Sequence, residues 1–130
     1  MGITQFVTGV QHLGLPTNDI EKTIAFYESL GFTVALRTVN EAVGEQVAFL
    51  QLKNLMIETY QNGCAVGKPG AIDHVALDVT DVDAVFEALR AGGFALLDSE
   101  VQFLPFWERG VRFFTILGPN GEKVEFSQKL

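Results

Sequence analysis

The chain repeats itself at an offset of 62 residues, and this repeat constrains the fold more than any other feature. Shifting the sequence by that offset places His12 on His74, and the register holds without a gap as far as Phe32 on Phe94. Other identities in this register are Leu15 with Leu77, Asp19 with Asp81 and Gly31 with Gly93. Self-similarity at a fixed offset indicates two copies of one supersecondary unit, and each copy opens with a predicted strand that carries a histidine.

Length and charge restrict the class of protein. A chain of 130 residues is one compact domain or two small modules, and it buries enough surface to fold without a disulfide or a structural metal. The formal net charge of −7 and the isoelectric point near 4.7 argue against nucleic-acid and anionic membrane partners, since both bind basic surfaces. We therefore expect a small-molecule partner, no nucleic acid and no membrane.

The remaining bulk features indicate a cytoplasmic protein. A single cysteine, Cys64, excludes an intrachain disulfide and fits a reducing compartment. The segment 1–8 has neither the charged start nor the long apolar run of a signal peptide, and the chain contains no apolar run of membrane-spanning length.

The first module reads as strand, helix and three strands. Val7–Leu15 is predicted as a strand with His12 in its middle, and Pro16 ends it. Asn18 is the predicted helix N-cap, with Glu21 completing a capping box. Gly31 is the expected left-handed stop. The three following strands are predicted at Phe32–Val39, Gln46–Leu52 and Leu55–Tyr60.

The second module repeats that order. Its first strand is Ala71–Val79, its helix begins at Thr80 as N-cap, and Gly92 and Gly93 end the helix. The later strands are predicted at Phe94–Leu97, Val111–Leu117 and Glu122–Gln128. The sequence thus predicts an α+β fold of tandem βαβββ modules in one domain, 1–130, with module one at 5–61, a Gly- and Pro-rich linker at 62–70, and module two at 71–130.

One segment has no counterpart in the repeat. Asp98–Gly110 contains Phe106, Trp107 and Arg109, and is predicted as a long loop. A long aromatic loop in a small domain is more often functional than idle. Its residues Phe106, Trp107 and Arg109 are therefore candidates for substrate binding.

Each module also places one histidine and one glutamate in half-buried strands: His12 and Glu58 in the first, His74 and Glu125 in the second. A carboxylate in such a strand is costly unless it is paired or bound to a metal. If the modules pair about a pseudo-twofold axis, the four side chains converge on one point. Two imidazoles and two carboxylates suit Zn²⁺, Ni²⁺, Co²⁺, Mn²⁺ or Fe²⁺, and an octahedral ion would keep two positions for water or substrate oxygens.

Two runs of the chain resemble a known family. The run from His12 to Phe32 (HLGLPTNDIEKTIAFYESLGF) is very like the opening of the vicinal oxygen chelate superfamily, which has the glyoxalase, bleomycin resistance and dioxygenase fold. The run from Gly118 to Phe126 (GPNGEKVEF) resembles the closing hairpin of that family. The resemblance spans nearly the whole chain and implies a curved mixed sheet, a half-barrel, around a metal site.

The His-Glu-His-Glu set is most similar to that of bacterial lactoylglutathione lyase (glyoxalase I). The resemblance implies that His12, Glu58, His74 and Glu125 are metal ligands, with Zn, Ni or Co favoured over Mn or Fe. It also implies a lyase or isomerase that acts on a hemithioacetal or α-hydroxycarbonyl through a metal-stabilised enediolate. In that comparison Glu125 is the catalytic base and Glu58 its partner.

The chain departs from glyoxalase I where that enzyme holds glutathione. Pro16 stands where an arginine is usual, and Gln61 replaces an asparagine, so a smaller or flatter apolar substrate is an alternative. For an anionic substrate group, Arg37, Arg109 and Arg112 are the candidate ligands.

Alternative functions on the same scaffold are another metal enzyme, such as an epimerase or a dioxygenase, or a non-enzymatic drug-binding resistance protein. The drug-binding protein would use the aromatic loop and need no metal. Relatives of glyoxalase I usually assemble their sites across two subunits, so we expect a homodimer, although the linker also permits pairing within one chain.

Overall fold

The computed structural model describes residues 2–130. The chain divides into two units of nearly equal length, with the division between Ala65 and Val66. Each unit contains its own sheet and its own α-helix. The predicted α+β class with tandem modules is therefore confirmed, and in the described residues neither sheet closes into a barrel.

The first unit begins with a short 3-10 helix and continues with one α-helix and four strands. The elements are the 3-10 helix Thr4–Phe6, β1 (Leu13–Thr17), α1 (Ile20–Ser29), β2 (Thr33–Asn40), β3 (Glu45–Leu52) and β4 (Leu55–Gln61). The strand order is β1-β4-β3-β2, in which β1 runs parallel to β4 and the other pairs are antiparallel. The last strand of the module therefore lies beside the first.

The second unit repeats this topology with one additional strand. The elements are β5 (His74–Asp78), α2 (Val82–Ala91), β6 (Ala95–Leu96), β7 (Gln102–Leu104), β8 (Val111–Leu117) and β9 (Lys123–Lys129). The strand order is β5-β9-β8-β6, with β5 parallel to β9, and β7 pairs with β8. Again the first and last strands are neighbours.

Helix α2 packs on one face of its sheet and leaves the other face for polar side chains. The buried residues of the helix are Val82, Phe86 and Leu89. On the sheet, Phe114 is fully buried, and its ring contacts Phe86 edge-on and stacks on Phe126, with centroids 5.1 Å apart in both pairs. Alternation along β9 then turns the odd-numbered residues, including Glu125, to the face opposite the helix.

Both helices start one residue later than the sequence suggested. The N-caps are Asp19 and Asp81, whose carboxylates accept hydrogen bonds from the amides of Lys22 and Ala84. The predictions of Asn18 and Thr80 as caps were wrong, and in the first case the reason is visible. The side-chain oxygen of Asn18 accepts from the amide of Ala65 instead. The predicted glycine stops are confirmed, with φ of 102° at Gly31 and 77° at Gly93.

A second interaction ties each helix to the strand that carries the glutamate. The amide nitrogen of Ile20 donates to Oε1 of Gln61, and that of Val82 donates to Oε1 of Gln128. Each glutamine lies three residues after the glutamate of its own strand. The start of each helix is therefore fixed directly to β4 or β9.

The first strand is shifted from its predicted position. The prediction put Val7–Leu15 in the strand and ended it at Pro16, whereas β1 spans Leu13–Thr17 and includes the proline. The prediction failed because β1 is an edge strand that pairs only with β4. A proline, which lacks the amide donor, is tolerated at such an edge. His12 consequently lies immediately before the strand and not in its middle.

The predicted loop Asp98–Gly110 contains strand β7, which pairs with β8 through Phe103 opposite Arg112. Sequence analysis missed this strand because it has only three residues and does not occur in the first unit.

The linker 62–70 contacts the first unit at its start and the second unit near its end. The amide of Gly63 donates to the carbonyl of Thr17, in the first unit. Beyond the division, Gly67 lies against Gly121 in the turn between β8 and β9. No helix in the described range 2–130 is long and apolar enough to cross a membrane.

The close approach of Gly67 to Gly121 predicts that a side chain at position 121 would destabilise the second unit. A Cβ on Gly121 would lie 2.1 Å from the carbonyl carbon of Gly67, and the backbone at Gly121 has a φ of 78°. We expect Gly121→Ala to lower the free energy of unfolding by roughly 3 kcal/mol or more, because backbone overlap adds to the left-handed strain.

Gly93→Ala is the matched control, since Gly93 has a φ of 77° in the same unit and no atom within 4 Å of an added Cβ. Its cost is expected to be about 1 kcal/mol from the backbone strain alone. Urea denaturation of both variants measures the difference, and equal losses would contradict the packing argument.

Candidate functional site

The parallel pairing of β1 with β4 brings His12 to Glu58. Gly14 is the register partner of Glu58, and His12 precedes Gly14 by two residues, so its side chain projects from the same face. The distance from His12 Nε2 to Glu58 Oε1 is 3.3 Å. The ring of His12 also packs edge-on against Phe49, which is opposite Glu58 on β3.

The second unit repeats this arrangement with its own residues. Ala76 is the register partner of Glu125, and His74 precedes Ala76 by two residues. The distance from His74 Nε2 to Glu125 Oε1 is 3.9 Å. The structure therefore brings the predicted site residues together as two pairs, one in each unit.

In both pairs the other ring nitrogen of the histidine has an oxygen partner. Nδ1 of His12 lies 3.0 Å from Oε1 of Gln11, and Nδ1 of His74 lies 2.9 Å from Oδ2 of Asp73. Both partners are acceptors and lie closer to the ring than the glutamate oxygens do, so these contacts favour the tautomer with the proton on Nδ1, in which Nε2 can bind a metal. A hydrogen bond of this kind on the far nitrogen is how proteins orient histidines that bind metals.

The two histidine partners differ in charge. Gln11 is neutral, whereas Asp73 is a carboxylate that also lies 3.3 Å from Nζ of Lys123. Hydrogen bonds from His74 and then from Lys123 lower the pKa of Asp73. The imidazole of His74 is therefore held by an ionised group, whereas that of His12 is held by a neutral amide.

The donor set fits a divalent cation. Two donors that share one ion at bond lengths of about 2.1 Å lie roughly 3.0–3.4 Å apart. The separation of 3.3 Å in the first pair lies within that range, and the 3.9 Å in the second requires a small side-chain movement. Within residues 2–130, no three His, Cys, Asp or Glu side chains form such a group. Each unit holds one His–Glu pair, which is termed a half-site.

The second half-site opens into a cavity of about 1000 Å³ on the face of the sheet opposite α2. His74 and Glu125 are part of its lining, with 42% and 19% of their side-chain surfaces exposed. The predicted aromatic residues Phe106 and Trp107 line the same cavity. Arg109 is exposed and is not among the lining residues.

Trp107 has an unusual backbone conformation, with a φ of 65° that residues other than glycine seldom adopt. Its indole is 68% exposed, and Nζ of Lys129 lies 3.9 Å from the centre of the ring. Strained residues concentrate where the surrounding structure has a functional reason to hold them.

Two of the arginines considered as anion ligands are already engaged. Arg112 donates two hydrogen bonds to the carboxylate of Asp83, which lowers the pKa of Asp83, and Arg37 donates to Glu21 and Gln46. Glu21 and Asp83 occupy equivalent positions in the repeat, in the first turns of α1 and α2. Each arginine therefore bonds the first turn of a helix.

Three residues around the site were not predicted from the sequence: Gln11, Asp73 and Lys129. Gln11 and Asp73 were detectable, because the offset of 62 that relates the histidines also relates the residues before them. Lys129 shares the alternation of Glu125 and Ser127 along β9, which places all three on one face. Gln61, which the sequence comparison related to a substrate-binding asparagine, bonds the start of α1.

Comparison with known proteins gives a consistent match across the chain. A model of the Glyoxalase/Bleomycin resistance protein/Dioxygenase superfamily matches residues 9–126. The uncharacterized protein YwbC of Bacillus subtilis (strain 168) is 30% identical over 125 residues, which cover 92% of this chain and 97% of YwbC.

Solved structures show the same fold. A glyoxalase family protein from Enterococcus faecalis has a TM-score of 0.79 at 20% identity, covering 94% of this chain and 98% of that one. The fosfomycin resistance protein FosX from Listeria monocytogenes, solved with Mn(II) and sulfate, has a TM-score of 0.74 at 16% identity, covering 95% and 94%.

The contacts at Nδ1 predict which ring nitrogen of each histidine carries the proton. In metal-free protein at alkaline pH, we expect both His12 and His74 to carry the proton on Nδ1, because the acceptors at Nδ1 lie at 3.0 and 2.9 Å and the glutamate oxygens at Nε2 lie at 3.3 and 3.9 Å. Long-range ¹H–¹⁵N NMR measures the tautomer directly, and the chain has only these two histidines.

The variant Asp73→Ala should change the spectrum of His74 and leave His12 as an internal reference. A wild-type His74 protonated at Nε2 would contradict the assignment.

Proposed function

Because this chain belongs to the Glyoxalase/Bleomycin resistance protein/Dioxygenase superfamily, we propose that it is a divalent-metal-dependent enzyme of the glyoxalase type. In this proposal it is a lyase or isomerase that acts on a small α-hydroxycarbonyl or hemithioacetal. The superfamily includes enzymes. The observation that carries the proposal is the His–Glu pair that each unit holds in the same strand register.

The proposed metal ligands are His12, Glu58, His74 and Glu125. Their donors, imidazole nitrogens and carboxylate oxygens, suit Zn²⁺, Ni²⁺ or Co²⁺, with Mn²⁺ and Fe²⁺ as further options. A divalent ion is known on this scaffold, since FosX was solved with Mn(II). The Nδ1 contacts of Gln11 and Asp73 support ligation through Nε2 in both units.

The proposed chemistry is a proton transfer between neighbouring carbons. A bound divalent ion would stabilise the negative charge that develops on the substrate oxygens. Glu125 acts as the base that takes the proton from one carbon and returns it to the next, and Glu58 is its counterpart in the other unit. Glu125 is the more sheltered of the two carboxylates, with 19% of its side chain exposed against 27% for Glu58. Reduced access of water favours retention of the abstracted proton.

The cavity beside Glu125 supports a flat, partly apolar substrate. Phe106 and Trp107 provide aromatic surface there, next to His74 and Glu125. We propose these two residues as substrate contacts, whereas Arg109, outside the lining, stays a prediction of the sequence. The missing glutathione contacts at Pro16 and Gln61 favour a smaller molecule than a glutathione adduct.

Two further features belong to the proposal. The units work as one domain, 1–130, and their half-sites share one ion, either within a chain or between the subunits of a homodimer. A cytoplasmic location stays a prediction that rests on the single cysteine and the composition.

A second candidate is a non-enzymatic drug-binding protein. The exposed aromatic surface of Trp107 and Phe106 favours it, because planar molecules stack on such rings. The two candidates separate on metal binding, which only the enzyme requires.

Metal binding is the first test of the enzyme. We expect the purified protein to bind one divalent ion per chain. Each of four substitutions should weaken the binding at least tenfold, because each removes or neutralises a donor: His12→Ala, His74→Ala, Glu58→Gln and Glu125→Gln. Isothermal titration with Ni²⁺ and Zn²⁺ measures the affinities. Glu41→Gln, in an exposed turn, is the control with the same loss of charge and no expected effect. Wild-type affinity in all four ligand variants would exclude this metal centre.

Mixing a His12→Ala chain with a His74→Ala chain locates the pairing. Recovery of a share of the sites indicates half-sites from different subunits, and no recovery indicates pairing within a chain.

Turnover is the second test. The metal-loaded protein is expected to convert methylglyoxal and a small thiol to the thioester, followed by ultraviolet absorbance. At saturating metal, Glu125→Gln should lower kcat by about 10²–10⁴-fold, the usual contribution of a general base. Glu41→Gln again serves as control. Metal binding without turnover on any thiol would exclude the hemithioacetal reaction and favour another metal enzyme of the superfamily.

A further inference from the structure

We propose that the molecule bound in the cavity of the second unit carries an anionic group, and that Lys129 binds this group beside Trp107. The inference deepens the proposed function, on which it rests for the identity of that molecule as a substrate. It names the substrate class as a flat apolar body with a carboxylate or similar anion at the end away from His74 and Glu125.

Lys129 lies in the lining of the cavity beside Trp107. Among the described residues that line the cavity, it is the sole lysine or arginine. Its ammonium group lies 3.9 Å from the centre of the Trp107 ring, which itself lines the cavity. A group that contacts the ring at this point would therefore also contact the ammonium.

The ammonium group of Lys129 is free to bind an anion. Other basic side chains near the sheet are paired with carboxylates: Arg112 with Asp83, and Lys123 with Asp73. Within residues 2–130, Lys129 has no carboxylate within ion-pair distance, and its ammonium group lies over the face of an indole. A cation–π contact at an exposed site is weak, so an anion can gain a charge-assisted hydrogen bond there at little expense.

The spacing of side chains along β9 separates Lys129 from Glu125. Glu125, Ser127 and Lys129 alternate on one face, and their Cα atoms are separated by roughly 6.6 Å per step. Lys129 therefore lies roughly 13 Å along the strand from Glu125, with Ser127 between them. A substrate that contacts both side chains must therefore be elongated along β9.

The test uses the fluorescence of Trp107, which is the single tryptophan of the chain. The full-length, metal-free protein is titrated with phenylacetate and with phenylacetamide, which match in shape and differ in charge. We expect phenylacetate to bind about tenfold more tightly than the amide, and this preference to decrease with salt.

Three variants identify the source of the preference. Lys129→Met should bring the two affinities to within about twofold of each other, whereas Lys129→Arg should keep the preference for the anion. Lys22→Met, an exposed change of equal charge in the first unit, should behave as the wild type. These controls separate a local contact from the overall charge of the protein.

Equal affinities in the wild type, a preference that survives Lys129→Met, or no saturable fluorescence change with either probe would overturn the inference. The titration needs no metal, so its failure is distinguishable from failure of the proposed metal centre. A protein that binds metal but not the anion is an enzyme for a neutral substrate, and one that binds the anion but no metal is not the proposed enzyme.

Discussion

The parallel pairing of the first strand with the last is the interaction on which each half of this protein depends. It closes a βαβββ unit on itself and sets the register in which Gly14 lies opposite Glu58 and Ala76 opposite Glu125. A histidine two residues earlier then projects from the same face as the glutamate. Because side chains alternate with a period of two, a slip of one residue would turn the imidazole to the helix side and separate the pair. The chemistry of the site is thus a consequence of backbone hydrogen bonding.

The two halves have kept this register while their surroundings have diverged. In the first, His12 packs against Phe49 and bonds a neutral amide. In the second, His74 bonds a carboxylate and opens into a wide cavity with aromatic walls. The additional strand β7 lies in the segment that leads to Phe106 and Trp107, so the insertion that distinguishes the second half also supplies the aromatic side of its cavity. The two units therefore share the His–Glu pair, whereas the aromatic cavity belongs to the second unit.

Much of this architecture could be predicted from the sequence, because periodicity and repetition reinforce each other. Patterns that occur twice predicted the two helices, the strands Val111–Leu117 and Leu55–Tyr60, and the two glutamates that lie beside the histidines. The errors arose where long-range contacts decide. Asn18 has the chemistry of a cap but bonds the linker instead, and Pro16 is tolerated in a strand only because that strand is an edge. Lys129 showed no signal of its own, since its role depends on a tryptophan 22 residues earlier in the chain.

The division of the linker has a consequence for how such a chain can arise and be altered. Cleavage of the peptide bond between Ala65 and Val66 would leave each strand pairing of residues 2–130 inside one fragment or the other. The same holds for both helix caps and for the hydrogen bonds from Ile20 and Val82 to the two glutamines. Each fragment would also retain the piece of linker that it already holds, through Gly63 on one side and Gly67 on the other. Recombination at this junction would therefore leave both sheets intact. A half-length gene could be joined to a copy of itself there, or one half could be exchanged for another.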